Sequence, residues 1–186
     1  MSTMTAEVRR YLDTIGLLPS GVTVVTAELE GHIHGMTANA VTSLSVNPMQ
    51  MLFCVARKAK MAVLLRPGTP FTVNILRDDQ TSVSNHFAGA GRKPEVMPEL
   101  RFVHWAGGPR LDGCLGAIGC EAHNLMDGGD HWIVIGNVVS LFQGTDPDHP
   151  LLYFRGRYRR LEGGSLLAPG RDDLAEGPAH IFYGSW

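Results

Sequence analysis

Short segments rich in β-branched residues, separated by glycine and proline, occur along most of this chain and constrain its fold more than any other feature. Valine, isoleucine and threonine favour extended backbone, and short runs of them between turn residues are typical of strands. A polar turn from Glu28 to Gly31 separates the first two runs and predicts a hairpin. The predicted strands are Gly21–Ala27, Ile33–Met36, Val41–Val46, Met51–Val55, Phe71–Leu76, Leu115–His123, His131–Phe142, Leu151–Phe154 and Tyr158–Leu161.

Only three segments have helical rather than alternating spacing. Residues 1–14 place Val8, Tyr11 and Leu12 on one face of a short amphipathic helix. Helices are also predicted for Lys60–Arg66 and Thr81–Ala88. Strands therefore dominate, and the strand–helix–strand alternation of a parallel sheet is missing. This pattern predicts a mainly β protein, an antiparallel barrel with a few short helices.

The chain has 186 residues, which fits one domain. We divide it into an N-terminal helix (1–17), a barrel domain (18–161) and an extended C-terminal tail (162–186), because glycine and proline interrupt every pattern in the tail. Within the barrel, Met51–Val55 is apolar at every position, so we expect a buried central strand.

Composition and charge exclude several classes of protein. A hydrophobic content of 44% excludes a disordered chain, and a formal net charge of -2 with scattered signs leaves no basic stripe for nucleic acid. The longest apolar run, Met51 to Ala56, is too short to span a membrane, and residues 1–14 lack the apolar core of a signal peptide. We therefore expect a cytoplasmic protein that binds neither nucleic acid nor membranes.

The cysteines and histidines predict neither a disulfide nor a metal site. On one extended strand, Cys114 and Cys120 would lie about 20 Å apart, too far for a disulfide. We expect both, together with Cys54, to be reduced thiols. His32 and His34 share a strand face, but no third potential ligand occurs at a spacing typical of a metal site, so no metal is expected.

The usual nucleotide and nucleophile motifs are missing from the sequence. Gly89-Ala90-Gly91 begins like a dinucleotide-binding loop, but Pro94 occupies the position of the third glycine, and no strand precedes it. The chain has neither a Walker loop nor the G-x-S-x-G turn of a serine hydrolase. A nucleotide bound by this protein would therefore not lie in a Rossmann fold.

Four polar segments have both a structural and a functional interpretation. Gly35 to Ser43 is either a turn that satisfies its own backbone or a polar rim for a ring edge. Arg57 to Lys60 is either a solvated corner or a phosphate hold at a helix start. In Gly128 to His131, the aspartate either orients the histidine or belongs to a plain glycine turn. Phe154 to Tyr158 has two arginines around a glycine, which also suits an edge strand.

Taken in order, these segments resemble the flavin reductase family, the reductase components of two-component flavin-dependent monooxygenases. The likeness covers roughly residues 18–161. The matching segments are Ser20–Thr26, Gly35–Asn39, Thr42–Ser45, Phe71–Leu76, Phe87–Gly89, Gly129–His131, Gly136–Val138, Leu151–Tyr153 and Gly156–Tyr158.

The resemblance implies a Greek-key split β-barrel of the FMN-binding type, a homodimer that binds FAD or FMN near the subunit interface. It assigns His131 to catalysis through nicotinamide placement and implies no metal site. The cofactor-binding residues that it implies are Thr37, Asn39, Ala40, Val41, Thr42, Ser43, Cys54, Val55, Ala56, Arg57, Lys58, Phe87, Ala88, Gly89, Tyr153, Phe154 and Arg155.

The activity implied by the resemblance is hydride transfer from NADH to free FAD or FMN, with the reduced flavin passing to a separate monooxygenase that hydroxylates phenol-type substrates. NADPH is an alternative donor, whose 2′-phosphate would need a nearby cation. The candidates for that cation are Arg92, Lys93, Arg155 and Arg157. Two other functions remain open: a pyridoxamine-phosphate-oxidase-like flavoprotein that ignores NADH, and a non-catalytic flavin or haem binder. In the haem case the axial candidates are His32, His86 and His104.

Overall fold

A computed structural model describes residues 5–89, 97–145 and 149–161 of the protein. Its first element is the helix α1 (Ala6–Ile15), whose N-cap Thr5 accepts a hydrogen bond from the backbone N–H of Val8 at 3.3 Å. No residue of this helix is buried. The predicted tail, 162–186, lies outside the described residues, so the three-part division stays a prediction.

Strands form most of the remaining structure. The strands are β1 (Ser20–Gly21), β2 (Thr23–Leu29), β3 (His32–Ala38), β4 (Val41–Val46), β5 (Met49–Ala56), β6 (Pro70–Ile75), β7 (Phe102–Trp105), β8 (Gly108–Leu111), β9 (Gly116–Gly128), β10 (His131–Gln143), β11 (Leu152–Phe154) and β12 (Arg157–Arg159). The two further helices are α2 (Lys60–Leu64) and α3 (Thr81–Phe87).

Seven of these strands form one sheet in the order β3-β2-β6-β9-β10-β5-β4. Its neighbouring strands all pair antiparallel, including the predicted β2–β3 hairpin. A three-stranded sheet, β1-β11-β12, and the β7–β8 hairpin complete the fold. The mainly β, antiparallel class predicted from the sequence is confirmed.

The core lies on one face of β5 rather than on both. Met51, Phe53 and Val55 are buried, and the Phe53 ring packs edge-to-face on Phe71 with centroids 5.2 Å apart. Leu52 and Cys54 are only half-buried. The predicted burial of this strand is therefore confirmed on one face only, and on the other face Cys54 and Ala56 line a cleft.

The β7–β8 hairpin was not predicted, and buried hydrogen bonds hold it on the main sheet. The hydroxyl of Thr72 donates to the Gly107 carbonyl at 2.8 Å, and the Trp105 indole donates to the same hydroxyl at 2.9 Å. At its turn the hairpin backbone touches β9: a Cβ on Gly107 would lie 2.1 Å from the Cα of Gly119. Contact this close requires glycine at both positions.

The β9–β10 hairpin is longer than predicted. Strand β9 continues to Gly128, five residues past the predicted end at His123. The additional residues are mostly exposed and have no β-branched side chain, so pairing with β10 alone keeps them extended.

The three cysteines are free thiols, as expected. Among the described residues, no helix is long and apolar enough to cross a membrane.

Candidate active site

A cleft of about 890 Å³ opens between β3, the end of β5, the start of α2, the end of α3 and the start of β10. Small residues from β3, cations from the link between β5 and α2, and one histidine contribute to its walls. Its lining residues are Gly35, Met36, Thr37, Ala38, Asn39, Ala40, Cys54, Ala56, Lys58, Ala59, Lys60, Met61, Phe87, Ala88, Gly89 and His131.

An aromatic ring from α3 packs directly on the backbone of β3. A Cβ built on Gly35 would lie 2.4 Å from two ring atoms of Phe87, so this packing requires glycine at that position. The helix end that follows contributes Ala88 and Gly89 to the same wall. Phe87, Ala88 and Gly89 make this wall apolar, which suits a planar ring system.

The polar side chains of β3 and the residue after it are already partly bonded within the protein. The Thr37 hydroxyl donates to the Ser84 carbonyl at 2.6 Å, and the Asn39 amide donates to the Ser20 hydroxyl at 3.2 Å. Their acceptor oxygens remain for a ligand. The cleft therefore offers these two side chains chiefly as hydrogen-bond acceptors.

Positive charge in the cleft comes from Lys58 and Lys60. Arg57, expected beside them as a phosphate-binding residue, does not line the cleft. Its Nε donates to the Gly129 carbonyl at 2.6 Å and its guanidinium pairs with Asp127. These partners lie about seventy residues away in the sequence, which explains why no local pattern predicted the contact.

His131 reaches the cleft from the first position of β10, and its neighbour fixes its orientation. The Nδ1 atom of His131 lies 2.7 Å from Oδ1 of Asp130. The hydrogen bond from the imidazole holds the pKa of the exposed Asp130 carboxyl below its usual value. A proton on Nδ1 leaves Nε2 as the ring nitrogen that can meet a ligand.

A smaller pocket of about 230 Å³ adjoins the cleft, and tyrosines form its far side. The rings of Tyr153 and Tyr158 meet edge-to-face with centroids 5.6 Å apart. The Tyr158 hydroxyl donates to the Asn85 amide oxygen at 2.9 Å and lies 2.9 Å from the Ser84 hydroxyl. The pocket is lined by Val22, Thr37, Asn39, Ser84, Ala88, Tyr153 and Tyr158.

An apolar groove of about 460 Å³ lies elsewhere on the main sheet, along β4, β5 and β10. Val46, Met49 and Leu141 in this groove are 61%, 52% and 66% exposed. The groove also contains Val41, Thr42 and Ser43, three predicted cofactor-binding residues. In a single chain these three are therefore separated from the cleft.

The structure brings together part of the predicted site. The predicted residues that line the cleft are Thr37, Asn39, Ala40, Cys54, Ala56, Lys58, Phe87, Ala88, Gly89 and His131. The predicted Tyr153 lines the smaller pocket, and Val55 is fully buried. Phe154 and Arg155 line neither space.

Several lining residues were missed as site residues. Lys60 was singled out only as part of the basic cluster, and Tyr158 only as part of an edge strand and of a segment that matches the family. Ser84 is buried on α3, at a position that helical spacing marks as core. Their signal was weak because each takes its place through packing between elements far apart in the chain.

The metal and haem alternatives gain no support. Within the described residues, no group of three His, Cys, Asp or Glu side chains could hold a metal ion. His32, His86 and His104 do not line the cleft. Of the candidate cations for NADPH, Arg92 and Lys93 lie outside the described residues, whereas Arg155 and Arg157 are exposed.

Comparison with known proteins places the chain among flavin reductases. The model of the flavin reductase like domain family matches residues 15–162. An NADH-dependent flavin reductase of a Rhodococcus species is 40% identical over 162 residues, covering 86% of each chain. The reductase component of 4-hydroxyphenylacetate 3-monooxygenase from Thermus thermophilus is 38% identical, covering 81% of this chain and 95% of the relative.

A solved structure agrees with this match. The NADH:FAD oxidoreductase SgcE6 of Streptomyces globisporus, in complex with NAD and FAD fragments, superimposes with a TM-score of 0.74 at 32% identity. The alignment covers 88% of this chain and 98% of that one. The resemblance inferred from the residues is confirmed, and the chain belongs to the flavin reductase-like family.

Proposed function

We propose that this protein is an NADH-dependent flavin reductase that reduces free FAD or FMN and supplies the reduced flavin to a separate monooxygenase. The observation that carries the proposal is the 890 Å³ cleft, in which an apolar wall, two lysines and one oriented histidine lie together. The family match and the names of the relatives, an NADH-dependent flavin reductase and a monooxygenase reductase component, support the same activity.

The cleft residues fit the chemistry of a flavin. The Phe87 and β3 wall suits the planar ring, and the side-chain oxygens of Thr37 and Asn39 can accept hydrogen bonds from a ring N–H. Lys58 and Lys60 supply the charge for a phosphate. The phosphate hold is therefore electrostatic rather than the bidentate grip of an arginine.

The proposed reaction moves a hydride from NADH to the bound flavin, giving NAD⁺ and reduced flavin. The protein needs no general base for this step, and its task is to bring the two ring systems to contact distance. Holding two reactants in the reacting geometry can lower a barrier by about 7–11 kcal/mol. We assign His131, oriented by Asp130, to placement of the nicotinamide.

The partner is proposed to be a flavin-dependent monooxygenase that hydroxylates an aromatic substrate. The Thermus relative bears the name of such a component, for 4-hydroxyphenylacetate. Transfer by diffusion or transient contact suits a cleft whose hydrogen-bonding side chains are already partly bonded within the protein.

We propose that the chain acts as a homodimer of split-barrel subunits in the cytoplasm. The exposed apolar groove along β4, β5 and β10 supports a second copy as its cover, because large apolar patches on soluble proteins mark interaction sites. In such a dimer Val41, Thr42 and Ser43 would lie at the interface, where the resemblance implies flavin contacts.

The function is tested by NADH consumption in air, with and without micromolar FAD or FMN. We expect consumption that depends on added flavin, because reduced flavin released from the protein is reoxidised by oxygen and returns as substrate. The faster flavin identifies the preferred one, and NADPH in place of NADH tests the donor. Reactions without protein are the control. No consumption with either flavin and either donor would contradict the proposal.

A further inference from the structure

We infer that Arg57 is a positioning residue for NADH, acting through the β9–β10 turn that presents His131. This inference rests on the proposed function, because it assigns a role in placing the hydride donor. It replaces the predicted phosphate role of Arg57, since this side chain does not line the cleft.

Four contacts connect Arg57 to the β9–β10 turn. Its guanidinium pairs with Asp127, and its Nε donates to the Gly129 carbonyl at 2.6 Å. The guanidinium carbon lies 3.8 Å from the centre of the Trp132 ring, and the backbone N–H of Arg57 donates to the Asp130 carbonyl at 3.0 Å. The contacts reach both strands of the hairpin and both residues between them.

The carboxylate of Asp127 also stabilises the turn through a hydrogen bond to the turn's own backbone. Asp127 accepts a hydrogen bond from the Gly129 N–H at 3.0 Å while it pairs with Arg57. Both contacts hold the pKa of this exposed carboxyl below its usual value, the backbone hydrogen bond contributing most. One carboxylate therefore connects the end of β5 to the backbone of the turn.

The consequence for His131 follows from the chain itself. Asp130, which holds the imidazole, lies between Gly129 and His131, and its own carbonyl is fixed by the Arg57 backbone. His131 pairs with Ala56, the residue before Arg57, across β5 and β10. Any movement of the turn would therefore displace the Asp130–His131 pair.

Arginine is suited to this role in a way that lysine is not. Its planar fork can bond a carboxylate and a carbonyl at once while its face covers an indole ring. A lysine would retain the charge but would lose the second directed bond. An exposed ion pair adds little stability by itself, so we expect the effect mainly in NADH binding rather than in folding.

The inference is tested with Arg57→Met and Asp127→Asn, assayed for KM of NADH, KM of flavin and kcat. Each variant should raise the KM for NADH on the order of tenfold, which is below the roughly hundredfold cost of a full 1 Å misplacement. The KM for flavin and kcat should stay within about twofold of wild type. The double variant should raise the KM for NADH no more than the poorer single variant does, because both substitutions remove the same Arg57–Asp127 ion pair.

Arg57→Lys separates charge from geometry, and Arg101→Met is the matched control. Arg101 also pairs with an exposed carboxylate, Glu99, outside the cleft, and its removal should change nothing. A KM for NADH that stays raised in Arg57→Lys supports the inference. Restoration by lysine, a raised KM for flavin alone, or a wild-type Asp127→Asn would overturn it. A wild-type protein without flavin-dependent NADH oxidation would instead overturn the proposed function.

Discussion

Side chains around the β9–β10 turn have separate tasks in the proposed reaction. His131 reaches the cleft, Asp130 fixes its imidazole, and Arg57 holds the turn through contacts outside the cleft. Of these, only His131 would touch a reactant. The distinction matters because substitution of the residue that contacts NADH and of the residue that supports it should change the same kinetic constant, the KM for NADH.

Replacing His131 by alanine should raise the KM for NADH more than it weakens flavin binding. The imidazole is assigned to the nicotinamide side of the cleft, whereas the flavin wall comes from β3 and α3. We expect a rise on the order of tenfold, the free-energy equivalent of about one hydrogen bond. Steady-state kinetics with each substrate varied in turn measure the effect.

His104→Ala is the control for that experiment, because His104 is 70% exposed, pairs with Glu28 and lies outside the cleft. It should behave as wild type. An unchanged KM for NADH in His131→Ala would remove the histidine from substrate placement.

At this scale the sequence could identify which residue types belong to the site but not which way they point. The polar residues between two strands and the glycine turn left a structural and a functional interpretation open, and the resemblance assigned Thr37, Asn39, Ala40 and His131 to the site. Arg57 was misplaced because its partner lies on a different hairpin, and a basic cluster looks the same whether its members face a ligand or a carboxylate.

Among the elements, the β7–β8 hairpin is held on the sheet by buried polar contacts. Asn74, fully buried on β6, donates to the Val24 carbonyl at 2.8 Å and to the Thr26 hydroxyl at 2.9 Å. It accepts from the Leu111 N–H at 2.7 Å, at the end of the hairpin. One amide thus connects three elements.

Asn74→Ala should destabilise the protein by about 3 kcal/mol, because it leaves the Leu111 N–H and the Val24 carbonyl buried without their partner. Urea unfolding followed by circular dichroism measures the change. Asn137→Ala is the matched control, since Asn137 is only half-buried and makes one side-chain bond, with Gln50. Its cost should be about 1 kcal/mol. Equal losses in the two variants would contradict the role given to Asn74.

Element prediction succeeded where periodicity was strong and failed where docking decides. The runs of β-branched residues in β2, β6 and β10 were sufficient to predict these strands. Strands β7 and β8 have four residues each, with Pro109 inside the second, and a pattern that short is not distinguishable from a loop. The half-exposed face of β5 was missed because an apolar run does not reveal that one side borders a cleft.

For the whole molecule, the proposed dimer makes the apolar groove along β4, β5 and β10 the subunit interface. Leu141→Asp should convert the proposed dimer to a monomer, because it places a charge among exposed apolar groups that we expect to be covered. Sedimentation velocity on the purified protein measures the mass.

Val63→Asp provides the comparison. Val63 is as exposed as Leu141, at 66%, but lies on α2 outside the groove. It should leave the mass unchanged. A wild-type monomer, or a dimer that tolerates Leu141→Asp, would remove this groove as the interface.

The contact between Gly107 and Gly119 has a consequence for the protein's history. Because the hairpin turn and β9 meet backbone to backbone, a methyl group on either residue would overlap the backbone of the other segment. The two positions, one in the hairpin turn and one on β9, therefore behave as one inherited character. A mutation at either position would be removed by selection unless the hairpin had first moved away. The two glycines should therefore change more slowly during evolution than the side chains that line the cleft, although the glycines have no chemical role in the reaction.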